Sequence, residues 1–182
     1  MVRPRRLENE DLLARIAAAL EERAETTPWT LADVAPAAGL SPAGLIKRFG
    51  SKTGLLRALT RRWVDGIPEK PDGVGDVLDQ LSAYVAREFG TGSPAGAVFA
   101  ISEVTGELSD AELAALLAEG WQKQVNLLRR HLDEIPLRRL ENSDSGAVLL
   151  LDALHGSLFR AAVNLNPTAP LQTLNTCLEL WK

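Results

Sequence analysis

Residues 30–56, TLADVAPAAGLSPAGLIKRFGSKTGLL, are punctuated so tightly that two short helices and the start of a third are the arrangement they fit. Thr30 can cap a first helix whose apolar positions are Leu31, Val34, Ala35 and Ala38. Gly39 supplies the left-handed residue that stops it. Ser41 and Pro42 then form a cap and first-turn pair that starts another helix two residues later. That second helix carries Leu45 and Phe49 inward and leaves Lys47 and Arg48 outside. Gly50 ends it, and Ser51 opens the next. Two short helices joined by a glycine turn, the second tipped with cations, can lay a helix in the DNA major groove.

The run Thr30…Ala35…Ala38-Gly39-Leu40-Ser41…Leu45…Phe49-Gly50-Ser51-Lys52…Leu55-Leu56 resembles the DNA-binding signature of TetR-type bacterial transcriptional regulators, over roughly residues 8–63. The resemblance implies an amino-terminal helix-turn-helix that reads an operator and a carboxy-terminal helical part that dimerises. It also implies an inducer held among the middle helices of that second part, whose binding respaces the two DNA-reading heads. Three positions depart from the family pattern. Ile46 stands where family members usually carry an aromatic, most often tyrosine, that touches DNA. Pro36 lies inside the first helix of the motif, where proline removes a backbone donor. Gly54 replaces a residue that is often acidic, so Ser51 cannot close a capping box with it.

Read from the residues, Ser41, Ala43, Gly44, Lys47 and Arg48 are candidates for the DNA-facing side of the second helix. Small residues at 43 and 44 bring the backbone close to base edges. Arg48 suits a bidentate contact to guanine, and Lys47 reaches a base or a phosphate. The resemblance adds Ile46 to that face. Thr30 and Lys52 sit at helix starts, where backbone N–H groups favour a phosphate. Plain surface cations would look the same in sequence. Arg3, Arg5 and Arg6 suit an arm along the DNA backbone or minor groove, and equally a solvated tail.

Charge is distributed in keeping with a localised nucleic-acid face. Residues 1–66 hold 11 Lys/Arg against 8 Asp/Glu, whereas residues 67–182 hold 9 against 16, within an overall charge of −4. A basic first third on an acidic body confines attraction for phosphates to one end. At 182 residues and 46% hydrophobic, the chain has ample material for one or two cores. No apolar stretch follows Met1-Val2-Arg3-Pro4-Arg5-Arg6, so a secretory leader is not expected. Apolar runs such as Ala147–Leu151 fall short of a membrane span, and no membrane partner is expected. The single cysteine, Cys177, cannot form an internal disulfide and reads as a small hydrophobe, in keeping with a cytoplasmic protein.

Helix follows helix along the whole chain, with no sustained alternation of the kind a strand requires. The first is expected from near Asn9, with Leu13, Ile16, Ala17, Leu20 and Ala24 on one face. The helix after the motif carries Leu56, Leu59 and Trp63 and ends near Gly66. Ile67 to Gly73, rich in proline and glycine, marks a boundary between an amino-terminal domain, 1–66, and a second, 67–182. Further helices are expected over about 74–89, 95–105, from a Ser109 cap to Leu132, 146–165, and from the Pro170 region to the end. The fold class is all-α, with about nine helices.

The helix over 146–165 is apolar on nearly every side and must be covered on both. It and the last helix are expected to pair with their copies in a homodimer, with Gly156 allowing close approach and Leu154, Leu158, Leu174 and Leu178 in the seam. The other arrangement is a central core helix in a monomer. By resemblance, an inducer site would be lined by Tyr84, Phe99, Trp121, Gln122, Val125, His155 and Phe159, although a plain core would use the same side chains. Chemistry of an enzymatic kind is not visible. His131 and His155 lie on different helices, no HxxxH or CxxC spacing occurs, and no glycine loop follows a strand. Glu103 and Glu107, four apart on one helix face, read as solvated surface. No metal or cofactor is expected. The reading is a cytoplasmic repressor that binds double-stranded operator DNA as a homodimer and answers a small apolar effector. The alternative is a helical ligand-binding or interaction module whose DNA-binding head has decayed, motivated by Ile46 and Pro36.

Overall fold

A computed structural model describes residues 8–23, 27–71, 73, 75–90 and 94–182, with residues 94, 95, 99, 100, 104 and 107 described by their backbone alone. Arg3, Arg5, Arg6, Ala24 and Thr26 lie outside the described residues. Those residues form nine α-helices and no strand. In chain order they are α1 Asn9–Glu21, α2 Leu31–Ala38, α3 Pro42–Phe49, α4 Lys52–Gly66, α5 Val77–Phe89, α6 Pro94–Glu107, α7 Ala111–Glu134, α8 Ser143–Val163 and α9 Ala169–Trp181.

Local chemistry sets the boundaries of the first helices. Gly39 adopts φ 62°, and the N–H groups of Gly39 and Leu40 return to the carbonyls of Pro36 and Ala35, closing α2 in a Schellman arrangement. Ser41 Oγ accepts the Gly44 N–H at 3.1 Å, and Ser51 Oγ accepts the Gly54 N–H at 2.9 Å. Pro36 does not interrupt α2, whose helix runs on through Ala38. A first core gathers Leu12, Ile16, Trp29, Val34, Ala38, Leu45 and Leu55, tying α1 to α4 together as a head. Burying each such leucine contributes about 1.5–3 kcal/mol.

A second core, the body, joins α5, α7, α8 and α9 through Leu81, Val85, Leu128, Leu150, Leu154 and Leu174. Ala97, Ala161 and Ala169 bring α6 close against α8 and the start of α9. The head and body meet along α4 and α7. Arg57 forks onto Asp110 and also reaches Glu112 at 2.7 Å, while Arg61 pairs with Glu119 at 2.8 Å. Lys123 donates to the Val64 carbonyl at 3.0 Å. The Trp63 ring lies against Gly120, where a Cβ would collide with it.

Several local expectations need correction. Leu12, absent from the expected stripe of α1, is fully buried. On α4 the buried positions are Leu55, Thr60 and Val64, with Leu56, Leu59 and Trp63 half-buried, because this helix is covered from two directions by head and body. The α7 cap is Asp110, which accepts the N–H groups of Glu112 and Leu113, while the Ser109 hydroxyl donates back to the Gly106 carbonyl. Helix α8 starts three residues early because Asn142 caps it by accepting the Ser145 N–H. Leu154, Leu174 and Leu178, expected in an intermolecular seam, lie inside the protomer's own core, and Leu158 packs against it. The outward side of α8 presents Val148, Leu149, Phe159 and Val163 instead, with the last 79% exposed. Among the described residues, α8 has the length and mean hydropathy (1.4) of a membrane span, although its inner side is packed into the core.

Candidate nucleic-acid interface

Leu45, fully buried, roots α3 in the head core, and Phe49 one turn later packs beside it. The opposite side of α3 is then fixed by helical geometry. Ala43 and Lys47, four apart, stand at its centre and are exposed, and Ser41 and Ile46 are exposed beside them. Gly44 is half-buried, and a Cβ there would meet Ser41 Oγ and Leu40 within 3.5 Å. Arg48 lies on the flank, where its Nε donates to Asn9 Oδ1 at 2.7 Å. Helix α1 thus holds the cation that sequence spacing presents as a base reader.

The starts of α2 and α4 stand nearby, joined by Trp29. At Thr30 the backbone N–H and the hydroxyl both donate to the Asp33 carboxylate, at 2.7 and 3.1 Å. Those bonds, aided by nearby Arg23 and Lys52, hold the Asp33 carboxyl below its ordinary value of 3.8. Lys52 Nζ donates to the Trp29 carbonyl at 2.5 Å and sits 4.3 Å from the centre of its ring. Thr30, Ser41, Ala43, Gly44, Ile46, Lys47, Arg48 and Lys52 therefore all belong to the α2–α3–α4 segment, but Arg48 is held by Asn9 of α1 and Lys52 by Trp29 rather than extended into solvent.

The expected inducer lining is less unified. Tyr84 is buried on α5, and Trp121 and Val125 on α7 pack against the same body core. His155 stands between Phe89 and Trp121, with ring centres 5.5 and 5.1 Å away. Burial pushes the His155 imidazole below its ordinary 6.5, opposed by the Asp152 charge. The Tyr84 hydroxyl and the Gln124 side-chain oxygen are both buried without a well-formed hydrogen bond, and burial, reinforced by Glu88, raises the tyrosine pKa. Gln122 is exposed and donates to Asn126, and Phe159 is 58% exposed, so neither joins this group. The Phe99 side chain lies outside the description. A concavity of about 380 Å³ opens elsewhere, between α4 and α7, lined by Arg57, Arg61, Glu112, Leu116 and Glu119.

Sequence spacing did not identify Asn9, Trp29 or Glu103. Glu103 is not a solvated surface residue: its Oε2 accepts the Trp29 Nε1–H at 2.6 Å. A buried indole needs an acceptor, which was the available signal, but the identity of that acceptor was not. Among the described residues, no group of three or more His, Cys, Asp or Glu is placed to hold a metal.

Neither a comparison with protein-family models nor one with curated proteins finds a match. Solved structures do match over nearly the whole chain. A transcriptional regulator from Rhodococcus sp. Rha1 aligns with TM-score 0.67 and 18% identity, covering 96% of each chain. A protein described as a TetR-family transcriptional regulator from Rhodococcus sp. aligns with TM-score 0.57 and 20% identity, covering 94% of this chain and 97% of that one. At these identities the likeness establishes a shared all-helical fold.

Proposed function

We propose that this chain is a cytoplasmic, TetR-type regulator of transcription: a repressor that binds operator DNA as a homodimer and leaves it when a small apolar effector binds the body. The division of labour falls at about residue 66, with the DNA-reading head before it and the sensing, dimerising body after. The observation that carries the reading is the outer side of α3. Buried Leu45 anchors a helix whose opposite side offers small residues, an exposed lysine and no carboxylate. Such a side approaches base edges closely and attracts phosphates. The shared fold with a described transcriptional regulator raises the same reading.

The outward apolar side of α8 supports self-association. Leu149, Phe159 and Val163 lie exposed around Gly156, where nothing stands within 4 Å of an added Cβ. An isologous contact there would cover both copies at once. An effector site rests on Tyr84, Trp121, Val125 and His155, an apolar and aromatic set with a buried hydroxyl as polar handle. For the molecule to act, it must favour the arrangement with misplaced heads, since equal binding to both states shifts nothing.

Selection of duplexes from a random-sequence library by the full-length protein tests the reading. Enrichment of an inverted repeat, with half-sites one or more helical turns apart, is the expected result. Failure to enrich any sequence would overturn it.

A further inference from the structure

Trp29 stands where the head, the helix leaving it and the body all meet. Its side chain is 1% exposed and belongs to the head core. Its indole N–H donates to Glu103 on α6, 74 positions away. From the other side, Lys52 places its ammonium over the ring and donates to the Trp29 carbonyl. Trp29 immediately precedes Thr30, where α2 begins, and Lys52 is the first residue of α4. One indole thus holds two helix starts together, and a carboxylate from the body holds the indole.

We infer that Glu103 is a positioning residue for nucleic-acid binding, acting through Trp29 to fix Lys52 and the start of α2 where they meet a phosphate. The inference rests on the DNA-binding reading above. An ammonium has three donors, and the Trp29 carbonyl uses one, leaving others for phosphate oxygens. Contact with ring and carbonyl restricts the long lysine side chain before DNA arrives, so less rotamer freedom is lost on binding. The indole–carboxylate bond is charge-assisted and part-buried, conditions under which such bonds are strong.

Charge alone points the other way. Removing a carboxylate near a phosphate-binding face lessens repulsion, so a purely electrostatic role makes Glu103→Ala and Glu103→Gln tighten binding alike. Positioning splits the two variants, because glutamine keeps an acceptor oxygen and alanine does not.

The test titrates full-length Glu103→Ala, Glu103→Gln, Trp29→Phe and the Trp29→Phe/Glu103→Ala double variant against a duplex that the parent protein selects. Thermal melting of each variant records that it folds. Glu103→Ala is expected to bind about fivefold or more weakly. Its dependence of log affinity on log salt stays unchanged, since the number of phosphate contacts is the same. Glu103→Gln should bind as tightly as the parent or more tightly. Trp29→Phe keeps a ring beside Lys52 but loses the N–H, so it should weaken like Glu103→Ala, and the double variant should lose no more. Equal affinities for Glu103→Ala and Glu103→Gln, or fully additive losses in the double variant, would overturn the inference. If Trp29→Phe does not fold, the alanine–glutamine comparison decides alone. A parent that selects no duplex refutes the DNA-binding reading and this inference with it. A parent that binds, with both Glu103 variants alike, refutes the inference alone.

Discussion

Lys47 and Arg48 are adjacent in sequence and differently placed in space. Lys47 shares the outer side of α3 with Ala43, while Arg48 is held on the flank by Asn9. Lys47→Ala is expected to weaken binding to a selected duplex by about 1–3 kcal/mol and to relax preference at one position. Lys52→Ala should instead weaken all duplexes alike and make the salt slope shallower by roughly one per half-site. Anisotropy titrations at several salt concentrations check both, and parent-like affinity in both variants would contradict the assignment of α3. Away from that face, Gly120→Ala should destabilise the fold by about 1–3 kcal/mol, because the Trp63 ring occupies the space a methyl needs. Denaturant unfolding measures it. Gly39, Ser41 and Leu45 were legible in sequence because caps, stops and helical spacing act over a few residues. The Asn9–Arg48 and Trp29–Glu103 bonds span 39 and 74 positions, and no local pattern encodes them.

Elements carry their own titrations. Arg57 holds the Asp110 carboxyl below its ordinary 3.8, and Arg61 holds Glu119 below 4.5. Folding therefore favours the ionised forms, so these pairs contribute fully above those ordinary values, and the contribution is lost as pH falls through the lowered ones. His155 on α8 titrates in a higher window. Its folded pKa lies below 6.5, so the unfolded chain takes up the proton first and stability declines as pH drops below 6.5. Melting temperature followed against pH should show that decline, and His155→Phe, which keeps a ring between Phe89 and Trp121, should flatten it. Helix α8 also marks how far periodicity reaches. Its all-round apolar character was plain in sequence, and so was the need for cover on two sides. Which leucines face which side was not, because a helix apolar everywhere has no stripe to set its rotation. The structure turns Leu154 inward and Phe159 outward.

At the scale of the whole molecule, one helix is packed into the head core and clamped to the body. The amino-terminal part of α4 is buried in the head through Leu55, and its later turns are clamped to α7 by Arg57, Arg61 and Trp63. A change in the body that shifts α7 therefore has a direct lever on the head. Two copies joined through α8 would set the separation of two such heads. Replacing Phe159 and Val163 together by glutamate should give a folded monomer by light scattering, against a dimer for the parent at micromolar concentration. A parent that is itself a stable monomer would remove the two-headed arrangement. The most direct test of groove reading by α3 is methylation interference on a selected duplex. Guanine N7 lies in the major groove and adenine N3 in the minor groove, and dimethyl sulfate marks both. The account predicts that guanine methylation blocks binding in two patches one or more helical turns apart, on symmetrically placed half-sites. Binding blocked only by adenine methylation, or by neither, would contradict it.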